Sequence, residues 1–122
     1  MNISEQELQI FSRQLILKDF SEKKFEFIQK QNVIIIGMGG IGCPVAQYLI
    51  STGIKNLTLV DNDTVQLSNL NRQILFNKND LGKKKVEVAR EKLIAINTRN
   101  NIKTISKNIS EKNISKYLSN AS

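Results

Sequence analysis

NVIIIGMGGIGCPVAQYLISTGIKNLTLVD, residues 32–61, reads as a strand, a glycine turn, a helix and a second strand. Residues 33–36 are an unbroken β-branched run that stops at Gly37, which predicts a central parallel strand buried on both faces. Pro44 follows the glycines at a place where its missing N–H has no helical partner to lose. A helix is therefore expected over residues 43–52, closed by Gly53. Residues 57–60 predict a second buried strand, with Asp61 at its carboxyl end. Open α/β sheets bind their ligands at that edge.

A phosphate needs backbone N–H groups pointing at it with no side chain in the way. In the G-x-G-x-x-G of this turn, Gly37 supplies the bend, Gly39 the close approach and Gly42 the tight helix–strand contact. The helix behind them adds its positive end. Asp61 lies at the distance, about twenty residues on, at which an acid accepts hydrogen bonds from ribose hydroxyls. Each signal has a bland counterpart: glycine turns often only connect elements, and an aspartate often only ends a strand. Together they predict a nucleotide-binding β-α-β unit, with dinucleotides and ATP both open because they share the adenosine end. No G-x-x-x-x-G-K-[ST] occurs, so an ordinary P-loop ATPase is excluded.

Working outward, Ser4 and Glu7 form a capping box, and Leu8, Phe11 and Leu15 recur at helical spacing. A second helix is expected near residues 21–30 with Phe25 and Ile28 inward. Residues 61–80 are irregular. A helix from Gly82 to Asn97 then carries Val86, Ala89, Leu93 and Ile96 on one face. Residues 102–109 are expected as a third strand, and Ser110 as the cap of a short helix ending near Leu118. The expected architecture is α/β: a helical segment over residues 1–31, then a Rossmann-like parallel sheet with flanking helices over residues 32–122.

The 122 residues, 40% of them hydrophobic, suffice for one domain. No apolar run approaches the roughly 18 residues of a membrane span, and the N-terminus is polar and acidic where a secretory signal is basic and then apolar. A cytoplasmic protein without a membrane partner is expected. The chain has one cysteine, Cys43, and no histidine, so an intramolecular disulfide, a zinc site and histidine-based catalysis all lack their groups. The net charge of +7 is uneven: residues 1–77 hold seven basic and seven acidic side chains, residues 78–122 eleven and four. That bias suits an anionic ligand or partner, or reflects only a Lys-, Asn- and Ile-rich composition. No aromatic residues interleave with the lysines as nucleic-acid readers require, so no nucleic-acid partner is expected.

Past the second strand, LSNLNRQIL (residues 67–75) sets Ser68, Asn69 and Arg72 in a loop over the carboxyl edge of the sheet. An arginine fork matches phosphate oxygens in two bonds. Lys83, Lys84 and Lys85 open the next helix, where lysines oppose the macrodipole and a nearby anion gives a reason for them.

These stretches, with FSRQLIL (11–17), GMGGIG (37–42), LTLVDNDTV (57–65) and GKKKVEVA (82–89), resemble the ThiF/MoeB/HesA family, bacterial relatives of ubiquitin-activating enzymes. The resemblance runs in register from about residue 8 to residue 118 and is greatest to the molybdopterin-pathway adenylyltransferases, then to the thiamine-pathway ones. It implies the first half of a doubly wound nucleotide-binding domain. The implied activity is ATP-dependent adenylation of the C-terminal Gly-Gly carboxylate of a small ubiquitin-like sulfur carrier, with release of pyrophosphate. By the same resemblance Gly40 contacts the nucleotide through its backbone and Asp61 holds the ribose. Ser68, Asn69, Leu70, Asn71 and Arg72 line the triphosphate, Lys85 stabilises the α-phosphate, and Arg13 reaches across a homodimer interface as an arginine finger. Asp63 and Gln73 have supporting roles. Read from the residues alone, Arg13 fits a surface ion pair, Lys85 a solvated lysine among three, and Cys43 a packing residue.

Family members continue into an aspartate-containing strand end that binds magnesium, a carrier-binding region, and often paired Cys-x-x-Cys zinc ligands or a catalytic cysteine. None of these has a counterpart in this sequence, so ATP is expected with Mg2+ whose protein ligand lies outside the chain. A truncated adenylyltransferase, a split enzyme completed by a second chain, and a non-catalytic nucleotide-binding module all fit. An NAD-dependent oxidoreductase half-domain shares the first β-α-β unit but has no use for Arg13, Arg72 or Lys85. A sheet of about three strands is expected to leave an apolar edge exposed.

Overall fold

The computed structural model describes residues 5, 6, 9, 22–71, 75–96, 100–119 and 121. The first helix expected around Ser4, Glu7, Leu8, Phe11 and Leu15, together with Arg13, Arg72 and Gln73, lies outside these residues. The elements run α1 (Glu22–Gln29), β1 (Asn32–Ile36), α2 (Gly42–Thr52), β2 (Asn56–Val60), α3 (Lys85–Ile96), β3 (Asn101–Ile105) and α4 (Ile114–Leu118). Single 3-10 turns at Leu67–Asn69 and Lys78–Asp80 punctuate the connection from β2 to α3.

The three strands are parallel in the order β1-β2-β3, with rows Val33, Leu57, Ile102 and Ile35, Leu59, Thr104 in register. Val33, Ile35, Leu57, Leu59 and Ile102 share one core with Ala46 and Ile50 of α2 and Val86, Ala89 and Leu93 of α3. Both helices therefore cover the same face. A right-handed β-α-β crossover that steps twice in one direction has this outcome. It also overturns the reading of residues 33–36 as a central strand buried on both faces. Among the described residues β1 is an edge strand, only Ile35 of its residues is buried, and Ile36 is 49% exposed. The fully flanked strand is β2, where Leu57, Leu59 and Val60 are buried as expected.

The end of α2 shows why Gly53 follows it. Its φ of 111° is left-handed, its N–H reaches Ile50 O, and Ile54 N–H returns to Leu49 O, a Schellman-type closure. Phe25 of α1 is fully buried against this glycine: a Cβ there would stand 2.6 Å from Phe25 Cε2. Ile28 is half-buried, in line with its expected inward face.

Three boundaries differ from expectation. α3 starts at Lys85 rather than Gly82, because residues 82–85 lie alongside residues 63–65. Gly82 N–H bonds Val65 O at 2.9 Å, Val65 N–H bonds Lys83 O at 2.8 Å, and Lys85 N–H bonds Asp63 O at 3.0 Å. At its far end Ile96 is 38% exposed; Val88 is buried instead, in a core that also takes in Val65, Leu75 and Phe76 from the connecting segment. β3 ends at Ile105, four residues short of the predicted 109. The last helix is capped at Asn113, not Ser110. Asn113 Oδ1 accepts the Ser110 N–H at 2.7 Å, which closes a turn over residues 110–113 before the helix begins. No helix among the described residues is long and apolar enough to cross a membrane.

Candidate nucleotide site

The site forms where β1 ends in the glycine turn. Gly37 has φ 96° and its N–H bonds Val60 O at 2.7 Å, so the turn is held to the end of β2. Gly42, the first residue of α2, allows the closest approach: a Cβ there would lie 1.9 Å from Gly37 O and 3.5 Å from Ile35 Cγ2. No side chain fits in that gap. Gly39 is half-buried and Gly40 exposed at the outside of the turn.

Asp61 leaves β2 pointing into this turn. Its Oδ2 accepts the Met38 N–H at 2.7 Å and its Oδ1 accepts the Asp63 N–H at 2.8 Å. The carboxylate thus links the strand end, the glycine turn and the next loop. Asp63 in turn accepts the Lys85 N–H through its carbonyl, which brings the start of α3 to the same loop.

Lys85 is only 5% exposed, whereas Lys83 and Lys84 are exposed. Its ammonium has no ion pair or hydrogen bond among the described residues. It stands in the first turn of α3, where the helix dipole opposes a cation. The three identical neighbours in the sequence therefore divide into two exposed lysines and one buried one. Cys43 reports on the same neighbourhood. Burial pushes its thiol up to about 11, the Lys85 ammonium pulls it down and the Asp61 carboxylate adds to the rise. Its Sγ donates to Met38 O at 3.2 Å, so it packs as a neutral thiol under the turn.

A hollow of about 240 Å³ opens beside Asp61, between Ile36, Gly37, Asn62 and Asp63 on one side and Lys107, Asn108 and Ile109 on the other. Lys107 and Asn108 had no functional reading in the sequence, where they fell inside the predicted third strand. The signal was available in principle: once β3 ends at Ile105, the next residues must cross the carboxyl edge of the sheet. Ser68 and Asn71 are exposed and Asn69 and Leu70 half-buried, none of them lining this hollow. Asn69 is engaged locally, its Oδ1 accepting the Gln66 N–H at 3.0 Å. A larger hollow, about 750 Å³, lies against the sheet among Asn32, Asn56, Thr58, Lys103 and Tyr117, and includes neither the glycine turn nor Asp61. Among the described residues no group of three or more acidic, cysteine or histidine side chains could hold a metal ion.

The family model of the ThiF family matches residues 11–122. The chain belongs to the ThiF family. Among its relatives, the molybdopterin-synthase adenylyltransferase of Escherichia coli K12 is 47% identical over 95 residues, which is 78% of this chain and 38% of that protein. The enzyme of the same name from Haemophilus influenzae is 39% identical over 118 residues, 97% of this chain and 49% of that protein. This ThiF-family chain thus spans less than half the length of either relative. Among solved structures, the E. coli tRNA N6-threonylcarbamoyladenosine dehydratase TcdA in complex with ATP superposes with a TM-score of 0.90 at 30% identity. The match covers 98% of this chain and 48% of TcdA.

Proposed function

We propose that this chain binds ATP at the carboxyl edge of its sheet and provides the nucleotide half of an adenylyltransferase site. The observation that supports this best is Lys85: a lysine only 5% exposed, with no ion pair or side-chain hydrogen bond among the described residues, in the first turn of α3 where the helix dipole disfavours a cation. A phosphate bound beside it would offset that unfavourable placement. The ATP held by the structural relative TcdA and the adenylyltransferase names of the curated relatives point the same way.

In this reading Asp61 accepts the ribose hydroxyls, Gly37 bends the turn around the nucleotide, and the N–H groups of Gly39 and Gly40 face the phosphates. Ser68, Asn69, Leu70, Asn71 and Arg72 line the triphosphate, and ATP enters with Mg2+. The acceptor is the C-terminal glycine carboxylate of a small ubiquitin-like sulfur carrier, of the molybdopterin or thiamine type. One carboxylate oxygen attacks the α-phosphorus, the bond to the bridging oxygen of the β-phosphate breaks, and pyrophosphate leaves with that electron pair. Lys85 and Arg72 neutralise charge on the α-phosphate and the leaving group. Such catalysis needs chiefly alignment and fixed cations. Arg13 supplies a further cation to the partner's nucleotide in a cytoplasmic homodimer.

Lys85→Met separates this reading from a merely structural lysine. Without nucleotide the variant is expected to be more stable by about 0.3–1 kcal/mol in urea unfolding, because a cation opposed by the helix dipole is removed. Its affinity for ATP with magnesium is expected to fall by about tenfold to a hundredfold, the worth of a charged hydrogen bond. NAD is expected to bind neither protein. A variant that loses stability and keeps its ATP affinity defeats the proposal.

A further inference from the structure

Lys92 lies seven residues beyond Lys85 on α3 and makes an ion pair with Asp80, twelve residues earlier in the sequence. Its ammonium donates to Asp80 Oδ2 and to Leu75 O. Asp80 is itself 7% exposed, and the same oxygen accepts the Asn77 N–H at 2.8 Å. The Asp80 carbonyl accepts the Lys83 N–H at 3.0 Å. One ammonium thus joins the last residue of LSNLNRQIL, the 3-10 turn at Lys78–Asp80 and the body of α3.

Burial alone would raise the Asp80 carboxyl. The Lys92 ammonium and the Asn77 N–H, with help from Lys83, outweigh it and hold the group below its ordinary value, so the pair is charged at neutral pH. Adhesion does not explain such a pair. Leu75 and Phe76 already bury the loop in the core, and a partly buried ion pair is often no better for stability than an apolar pair of the same size. What an ammonium adds is direction: three donors at fixed angles, two of them used here on groups from two different turns.

We propose that Lys92 and Asp80 are positioning residues that hold Leu75 and the 3-10 turn at Lys78–Asp80 against α3 and, through the Asp80–Lys83 bond, set the start of that helix, and so fix the phosphate end of the nucleotide site. The proposal rests on the ATP reading above. It makes a specific demand: the pair acts on the phosphates and leaves the adenosine end, built on Asp61 and the glycine turn, alone.

The test compares Lys92→Met, the double variant Asp80→Asn/Lys92→Met, which leaves no orphaned buried carboxylate, and Lys92→Arg. ATP with magnesium is titrated calorimetrically, adenosine by ligand-observed NMR, and folding is checked by circular dichroism. In both Met variants ATP is expected to bind about fivefold or more weakly, with adenosine within about twofold of wild type, as for a misplacement remote from the ligand. Lys92→Arg, which keeps two directed donors, is expected to recover most of the ATP affinity. Exchange of the Asn77 amide is expected to accelerate in the Met variants. Equal weakening of ATP and adenosine, or unchanged ATP affinity in the folded double variant, overturns the positioning role and leaves the ATP reading standing. If the wild-type chain binds neither ligand, both fall.

Discussion

Both oxygens of the Asp61 carboxylate accept backbone N–H bonds, from Met38 and from Asp63. A carboxylate has about four lone-pair sites, so two remain for ribose hydroxyls while two hold the turn in shape. Asp61→Ala is therefore expected to cost about 1–3 kcal/mol of stability for the orphaned N–H groups, as well as nucleotide affinity. Asp61→Asn, which keeps one acceptor, is expected to recover at least part of that stability. Urea unfolding of both variants beside ATP titration checks this, and an Asp61→Ala protein of wild-type stability would sink the organising role. Cys43 gives a second expectation. Because its folded pKa, about 11, lies above that of a free thiol near 8.5, the proton is held more tightly in the fold. The associated stability is full below the free-thiol value and is lost as pH rises towards about 11. A thiolate absorbance titration is expected to show the late midpoint, and alkylation near pH 8 to be slow until the chain is unfolded. Gly37, Gly42 and Asp61 were legible in the sequence because their geometry is local to one strand–turn–helix passage. The burial of Lys85 was not, since Lys83 and Lys84 share its sequence surroundings and only the start of α3 separates them.

Elements were read well where apolar period and punctuation agreed, and less well where pairing decided. α2 matched because Pro44 and Gly53 mark its two ends. The Gly53 closure also couples elements: its left-handed φ and the 2.6 Å approach to Phe25 mean that one added methyl strains the end of α2 and displaces α1 together. Gly53→Ala is expected to lower stability by about 1–3 kcal/mol, with faster amide exchange in α1 than in α3. A loss under about 0.5 kcal/mol in thermal unfolding would show that Phe25 yields without cost. β3 and α4 were the poorer readings. The apolar spacing of residues 102–109 has no clear period of two, so its end at Ile105 depends on where β2 stops offering partners. Ser110 is of a residue type that caps helices, but Asn113 takes the N-cap position and spends its side chain on closing the turn over residues 110–113.

At the scale of the whole molecule, α2 and α3 pack on one face of the sheet, and the other carries Ile34, Thr58 and Lys103 in one row and Ile36, Val60 and Ile105 in the next, with Val60 buried and Ile36 exposed. An exposed apolar edge was expected from the strand count. That β1 would be that edge was not, because Val-Ile-Ile-Ile carries the composition of a central strand, and composition does not encode strand order. An edge of this kind pairs with other chains unless charge opposes it. The chain carries a net charge of +7, a long-range repulsion that salt screens within about 10 Å at 0.1 M and about 3 Å at 1 M. Association of the 122-residue chain through this edge is therefore expected to be stronger near 500 mM salt than near 50 mM. Sedimentation velocity at the two salt concentrations measures this. Ile36→Lys, which places a charge on the edge strand where Ile36 is 49% exposed, is expected to suppress the association at the higher salt. Association that Ile36→Lys leaves unchanged moves the contact elsewhere, with Phe27, 66% exposed on α1, the next surface to substitute. A monomer at both salt concentrations means that the β1 edge is not adhesive by itself.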